Sequence, residues 1–247
     1  MIKNRKILLT GATGGVGKAI AERLYIAGAN LFLISKSEDK LKKLKKSLIR
    51  TNSTGSIEYL SIDLRETDQL EAKTIEIIES LDGSLDVLIN NAGIGHHGKI
   101  ETVEVSELQE VFAVNVLAPI LLTSRLLPLT AQSDGGHIVN ISSILGSRSM
   151  PRTAVYTASK HALTGFSKTL RSEAALQGVC VTLIEPGAIE TEFIRHTHNP
   201  EAKKFFSKRD LVKLNPEVIA DWVAKVLESD SNTCSEVIQI MPKNQII

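Results

Sequence analysis

Three glycines set the first constraint on this chain. Gly11, Gly15 and Gly17 fall within Thr10-Gly11-Ala12-Thr13-Gly14-Gly15-Val16-Gly17. This segment directly follows the apolar run Ile7-Leu8-Leu9 and leads into an amphipathic stretch, Val16 to Ala27, with Ile20, Leu24 and Ala27 on one helical face. A strand that turns into a helix through glycines opens a βαβ unit. The alternation then repeats. Leu31-Phe32-Leu33-Ile34, Ile57 to Ile62, Val87-Leu88-Ile89, Gly136 to Ile141, Val179 to Ile184 and Val237 to Met241 have strand length and apolar character. Between them lie helical patterns: one capped by Ser37, one over Thr67 to Leu81, and one from Glu104 through the Leu-rich 121–130 region with a bend at Pro119. Two more run over Thr153 to Gln177 and from Asn215-Pro216-Glu217. The expected fold is α/β: a doubly wound, parallel, seven-stranded sheet with helices on both faces, in one domain spanning residues 1–247. Residues 188–214 carry many charges without periodicity, and such a segment after a core strand is a candidate substrate lid.

Composition narrows the function. With 43% hydrophobic residues the chain can bury a large core, and its net charge of +1 lacks the basic excess of a nucleic-acid binder. No apolar stretch is expected to reach the roughly 20 residues that span a bilayer. Cys180 and Cys234 are the only cysteines. Each lies in an apolar run, so both are expected as buried, reduced thiols. With no apolar leader at Met1 to Lys6, the expected location is cytoplasmic.

The glycine turn suits a dinucleotide. A pyrophosphate needs backbone N–H donors, close approach and the positive end of a helix, and Gly11, Gly15 and Gly17 sit where a turn can provide all three. About 20 residues on, NAD-binding folds place a carboxylate for the ribose hydroxyls. This chain has Ser35-Lys36-Ser37. Lys36 would attract a 2′-phosphate that an acid would repel, so NADP(H) is expected over NAD(H). Lys40, Lys42, Lys43, Lys45 and Lys46 are read as solvated surface.

A second constellation carries proton chemistry. Tyr156 and Lys160 are four residues apart and share a helix face. A cation near a phenol favours the phenolate, so Lys160 is expected to lower the pKa of Tyr156. Ser143 ends the fifth strand in Asn140-Ile141-Ser142-Ser143, at the edge where such sheets open into the ligand crevice.

With the glycine turn, Asn90-Asn91-Ala92-Gly93, Ser143 and Tyr156-Thr157-Ala158-Ser159-Lys160 in that order, the chain resembles the single-domain short-chain dehydrogenases/reductases, over nearly its whole length. The resemblance implies Tyr156 as general acid/base and Lys160 as the residue that tunes it and holds the nicotinamide ribose. Ser143 would bind the substrate carbonyl, and Asn115, in Val114-Asn115-Val116, would anchor a proton-relay water. It implies cofactor contacts at Gly11, Thr13, Gly15, Val16, Gly17, Ser35, Lys36, Ser37, Asp63, Leu64, Asn90, Ala92, Gly93, Tyr156, Lys160, Pro186, Gly187, Ile189 and Thr191. It also implies a homodimer or homotetramer built on the two long helices. Thr13 and Gly14 replace the more usual Ser-Ser, so Lys36 carries the NADP expectation.

The tail, Glu236 to Gln245, and Ile184-Glu185-Pro186-Gly187 with Thr191-Glu192-Phe193 look like the NADP-dependent 3-hydroxy acid dehydrogenases and small carbonyl reductases of the family. A 3-oxoacyl thioester reductase is the alternative, and an NADP-binding regulatory protein is the alternative of another class. The substrate pocket is expected from Ile94 to His97, Leu145 to Arg152 and the lid. Arg148, Arg152 or Arg195 are candidates to bind a carboxylate. His96-His97 and His196-Thr197-His198 lack further ligands of a metal set, so no metal is expected.

Overall fold

The computed structural model describes residues 1–51, 53–191, 212–230 and 232–245. Its strands are β1 Lys6–Thr10, β2 Asn30–Ser35, β3 Ile57–Ser61, β4 Val87–Asn90, β5 His137–Ile141, β6 Cys180–Pro186 and β7 Val237–Ile240. They form one sheet in the order β3-β2-β1-β4-β5-β6-β7, and every pairing is parallel. The helices are α1 Gly15–Ile26, α2 Glu38–Ile49, α3 Thr67–Ser80, α4 Val105–Phe112, α5 Ala118–Thr130, α6 Ala154–Ala175 and α7 Pro216–Glu228.

Side chains alternate across a strand, and here the alternation builds two cores. Ile7, Leu9, Leu31, Leu33, Val87, Ile89 and Val139 join residues of α1, α2 and α7 on one face. Leu8, Phe32, Ile34, Leu88 and Ile138 join residues of α3, α5 and α6 on the other. Both faces are covered, which is why the strands read as continuous apolar runs. The winding reverses between β1 and β4, and a crevice opens at the carboxyl ends of these strands, where ligands bind in such sheets.

Two glycines are dictated by this reversal. Gly11 has φ +65°, and a Cβ there would lie 2.8 Å from the Ala92 Cα; a Cβ on Gly17 would run into the Gly11 carbonyl oxygen. The Asn91 amide nitrogen donates to the Thr10 and Gly11 carbonyls at 3.0 and 3.3 Å. The turn after β1 is thereby locked to the turn after β4.

Three expectations are corrected. The long helix from Glu104 is three pieces, because a π-helical segment, Ala113–Leu117, separates α4 from α5. Pro119, in the first turn of α5, has no N–H to reach back to the Asn115 carbonyl, which removes one α-helical bond at this point. The same stretch, Val105–Thr130, is long and apolar enough by length and composition to cross a membrane, contrary to the expectation. More than half of its most apolar window is buried inside the fold, against the sheet and α3. Finally, Cys180 and Cys234 are not two buried thiols. They form a disulfide with Cα atoms 5.6 Å apart, and Cys234 is exposed in the segment before β7 rather than within a strand. Parallel pairing of β6 with β7 brings the two segments side by side, a proximity that residue spacing does not reveal.

Candidate functional site

The crevice holds a cavity of about 450 Å³. Its floor comes from the β1 turn. α1 starts at Gly15 with no side-chain cap and no acidic residue in its first turn. Its first N–H groups and positive dipole end are therefore available to an anion. Gly11, Thr13, Gly15, Val16 and Gly17 all line the cavity. The cradle fits a pyrophosphate: no side chain caps the α1 N-terminus, and Gly15, where a Cβ would come within 2.7 Å of the Thr191 side chain, keeps the approach open.

One end of the cavity is charged. Ser35, Lys36, Asp63 and Leu64 line it, and the Thr13 and Ser35 hydroxyls share a hydrogen bond at 2.6 Å. Lys36 is exposed. Asp63 is engaged: Arg65 binds it through Nη2 at 2.5 Å and through Nε at 3.0 and 3.1 Å, and also reaches Glu110 at 3.2 Å. The Arg65 hydrogen bond holds the Asp63 carboxyl below its ordinary pKa, and Lys36 adds to the effect. Arg65 lines the cavity but was absent from the expected set. Its signal was present: a cation two residues after an aspartate at a strand end.

The other end carries the proton chemistry. Ser143 follows β5, and its Oγ accepts from the Leu145 N–H at 3.1 Å, which starts a short 3₁₀ turn, Ile144–Gly146. Ser143 also hydrogen-bonds Tyr156. Tyr156 and Lys160 lie on the buried face of α6. The Lys160 ammonium donates to the Ile141 carbonyl at 3.0 Å and sits 5.8 Å from the Tyr156 ring centre. Burial pushes the Tyr156 phenol up to about 12, and the Ser143 hydrogen bond offsets only part of this. The net shift of Tyr156 is therefore upward, opposite to the lowering expected, because desolvation of the buried phenolate dominates. Burial also brings Lys160 down to about 8. His97 stacks near Tyr156, with ring centres 6.0 Å apart. Burial and the neighbouring His96 bring its imidazole down to about 4.

Asn115 lies behind the cavity and is fully buried. Its Oδ1 accepts from the Ile94 N–H at 2.9 Å. Its Nδ2 donates to the Ile94 carbonyl at 2.9 Å and to Ser159 Oγ at 3.0 Å. Asn90 also lies behind the cavity, donating to Asn140 and Thr123, so it ties β4 to β5 and α5. Ser37 caps α2. Ala92, Gly93, Pro186, Gly187, Ile189 and Thr191 line the cavity. So does Lys213, within the expected lid, and so do Asn91 and Gln245, which lie outside the expected set. Gln245 accepts from the Ala188 N–H at 2.7 Å; only the long-range return of the tail puts it there, and nothing local in the sequence marks it. Arg148 and Arg152 do not line the cavity. Arg195, His196 and His198 and residues 192–211 of the expected lid lie outside the described residues. His96 pairs with Glu107 at 3.2 Å.

Comparison with known proteins fits this geometry. The family described as short chain dehydrogenase matches residues 5–202. Dehydrogenase/reductase SDR family member 7B of Mus musculus is 37% identical over 192 residues, covering 77% of this chain and 59% of its own length. The chain thus spans about three-fifths of that relative. Among solved structures, the alcohol dehydrogenase of the archaeon Thermococcus sibiricus complexed with 5-hydroxy-NADP superposes with a TM-score of 0.86 at 25% identity, covering 99% of both chains. A metagenomic short-chain oxidoreductase in complex with NADP superposes with a TM-score of 0.81 at 27% identity, again covering 99% of both. The chain belongs to the short-chain dehydrogenase family.

Proposed function

We propose that this short-chain dehydrogenase is an NADP(H)-dependent oxidoreductase that interconverts a carbonyl compound and its alcohol, with Tyr156 as general acid/base. The observation that carries this reading is the buried Tyr156 hydroxyl, hydrogen-bonded to Ser143 at the end of a cavity whose other end is a glycine cradle. The cradle and Lys36 would hold the pyrophosphate and the 2′-phosphate, and Pro186 to Thr191 would line the nicotinamide. When bound, the nicotinamide supplies or accepts the hydride.

The chain's own groups manage the proton. At neutral pH Tyr156 carries its proton, since its pKa lies near 12. It is then an acid placed to protonate an oxygen that gains negative charge. Ser143 donates a hydrogen bond to the same oxygen, which polarises the carbonyl and shields the developing charge. Lys160, tied to the Ile141 carbonyl, stabilises the phenolate left behind. Asn115 fixes the Ile94 peptide that walls the cavity.

The test is consumption of NADPH and NADH over a panel of aldehydes, β-keto acids, α-diketones and acetoacetyl thioesters, with Tyr156→Phe as control. The expected result is turnover that prefers NADPH and disappears in the variant, with cofactor binding retained. Undiminished turnover by Tyr156→Phe overturns the reading.

A further inference from the structure

We propose that Glu185 is a positioning residue for this site: a buried carboxylate that fixes the turn carrying Ser143 and so sets the Ser143 hydroxyl against Tyr156. The proposal rests on the function proposed above. Glu185 is the penultimate residue of β6 and is 1% exposed. Among the described residues no cation pairs with it. Three neutral donors from three different elements do so instead: Thr164 Oγ1 of α6 at 3.0 Å, Ser147 Oγ of the turn after Ser143 at 3.1 Å, and Gln239 Nε2 of β7 at 2.8 Å. Burying a carboxylate is costly unless its oxygens are well satisfied, and an apolar side chain would fill the same space at less cost. A carboxylate here must therefore do something a leucine would not.

What it does is impose direction. An ionised carboxylate only accepts hydrogen bonds, so Thr164 and Ser147 must both donate to it. With the Thr164 proton committed, Ser142 can meet Thr164 at 3.2 Å only as donor, its one hydroxyl proton shared between Thr164 Oγ1 and the Lys160 carbonyl at 3.4 Å. The order Ser142 to Thr164 to Glu185 is then fixed, and it ties the backbone next to Ser143 to helix α6 one turn beyond Lys160. The turn itself is pressed onto the carboxylate: a Cβ on Gly146 would meet Thr164 Oγ1, Ser142 Oγ and Glu185 Oε1. Gln239 closes the arrangement by donating to both Ser147 and Glu185. Ser143, the Lys160 helix and the strand leading into Pro186-Gly187 are thus referenced to one charge.

The test compares Glu185→Gln, Gln239→Glu and the double swap Glu185→Gln/Gln239→Glu. In Glu185→Gln, two amide groups face each other and the donor order is lost. The double swap restores an amide donor opposite a carboxylate. The expected result is a kcat about 10- to 100-fold lower in Glu185→Gln, the scale of a small misplacement of a reacting group. NADPH affinity, read by fluorescence titration, falls far less than kcat, because the glycine cradle and Lys36 at the other end of the cavity are remote from Glu185. Hydrogen exchange in the 143–147 segment rises, and the double swap recovers both kcat and protection. Unchanged kcat and exchange in Glu185→Gln overturn the proposal, as does a loss that the double swap fails to recover. If the wild-type protein reduces no carbonyl while the exchange changes appear and reverse as stated, the positioning role stands and the proposed reaction is what fails.

Discussion

Lys160 is caught between two demands. Its ammonium is buried and donates to the Ile141 carbonyl, and desolvation brings its pKa down to about 8. It is charged below that pH and neutral above it. If the charge stabilises the Tyr156 phenolate, the reductive kcat/KM should fall as pH rises through about 8. A pH–rate profile checks this, and a rate that is flat from pH 7 to 9.5 rules the role out. At the opposite end of the cavity, Lys36 is an exposed cation beside the Asp63–Arg65 pair. Lys36→Glu should weaken NADPH binding by about tenfold or more, a charge reversal worth at least about 1.4 kcal/mol, and leave NADH binding nearly unchanged. Titration with each cofactor decides. Both residues were legible in the sequence as cations at a countable distance from a motif, and both line the cavity. The direction of the Tyr156 shift was not. Spacing tells that Lys160 shares a helix face with Tyr156, but not that both would be stripped of water.

The segment Ala113–Leu117 shows what one proline does to an element. The sequence places a bend near Pro119, and the structure resolves the bend into a π segment that turns Asn115 inward. Asn115 then replaces a strand partner for the Ile94 peptide, satisfying both its N–H and its carbonyl. Asn115→Ala would leave these half-buried groups without partners, at a cost of about 1–3 kcal/mol. Chemical denaturation measures it; a loss below about 1 kcal/mol would mean that water replaces the side chain at little cost. The strands were legible because burial on both faces leaves nothing but apolar runs, and the glycine turn because positive φ and close backbone approach admit only glycine at Gly11. Arg65 was legible only as a cation two residues after Asp63, and Gln245 not at all. Its place in the cavity depends on how the tail packs against other elements, which local pattern does not encode.

The molecule as a whole keeps two imidazoles dry. His97 and His137 both sit near pKa 4, against 6.5 in the open chain, chiefly because burial disfavours their charged forms. The unfolded chain therefore binds more protons than the folded one between those values. Stability should fall as pH drops from about 6.5 toward 4, at up to about 1.4 kcal/mol per pH unit for each group. Denaturant midpoints at pH 7, 6 and 5 check the slope. His137→Gln should remove that residue's share, and a midpoint independent of pH over this range contradicts it. The sheet that buries these rings was readable at the level of strand count and direction. The disulfide was not, because Cys180 and Cys234 become neighbours only once β7 is laid beside β6.

That bond also changes the connectivity of the polypeptide. Cys180 and Cys234 lie 54 positions apart, and the ring they close contains Pro186-Gly187, the 192–211 segment and α7. A single peptide-bond cut anywhere inside this ring separates nothing: the two fragments remain one covalent species, migrate as one mass, and part only when a reductant opens the link. Limited proteolysis of this protein will therefore look intact on a non-reducing gel even where cleavage within the ring is complete.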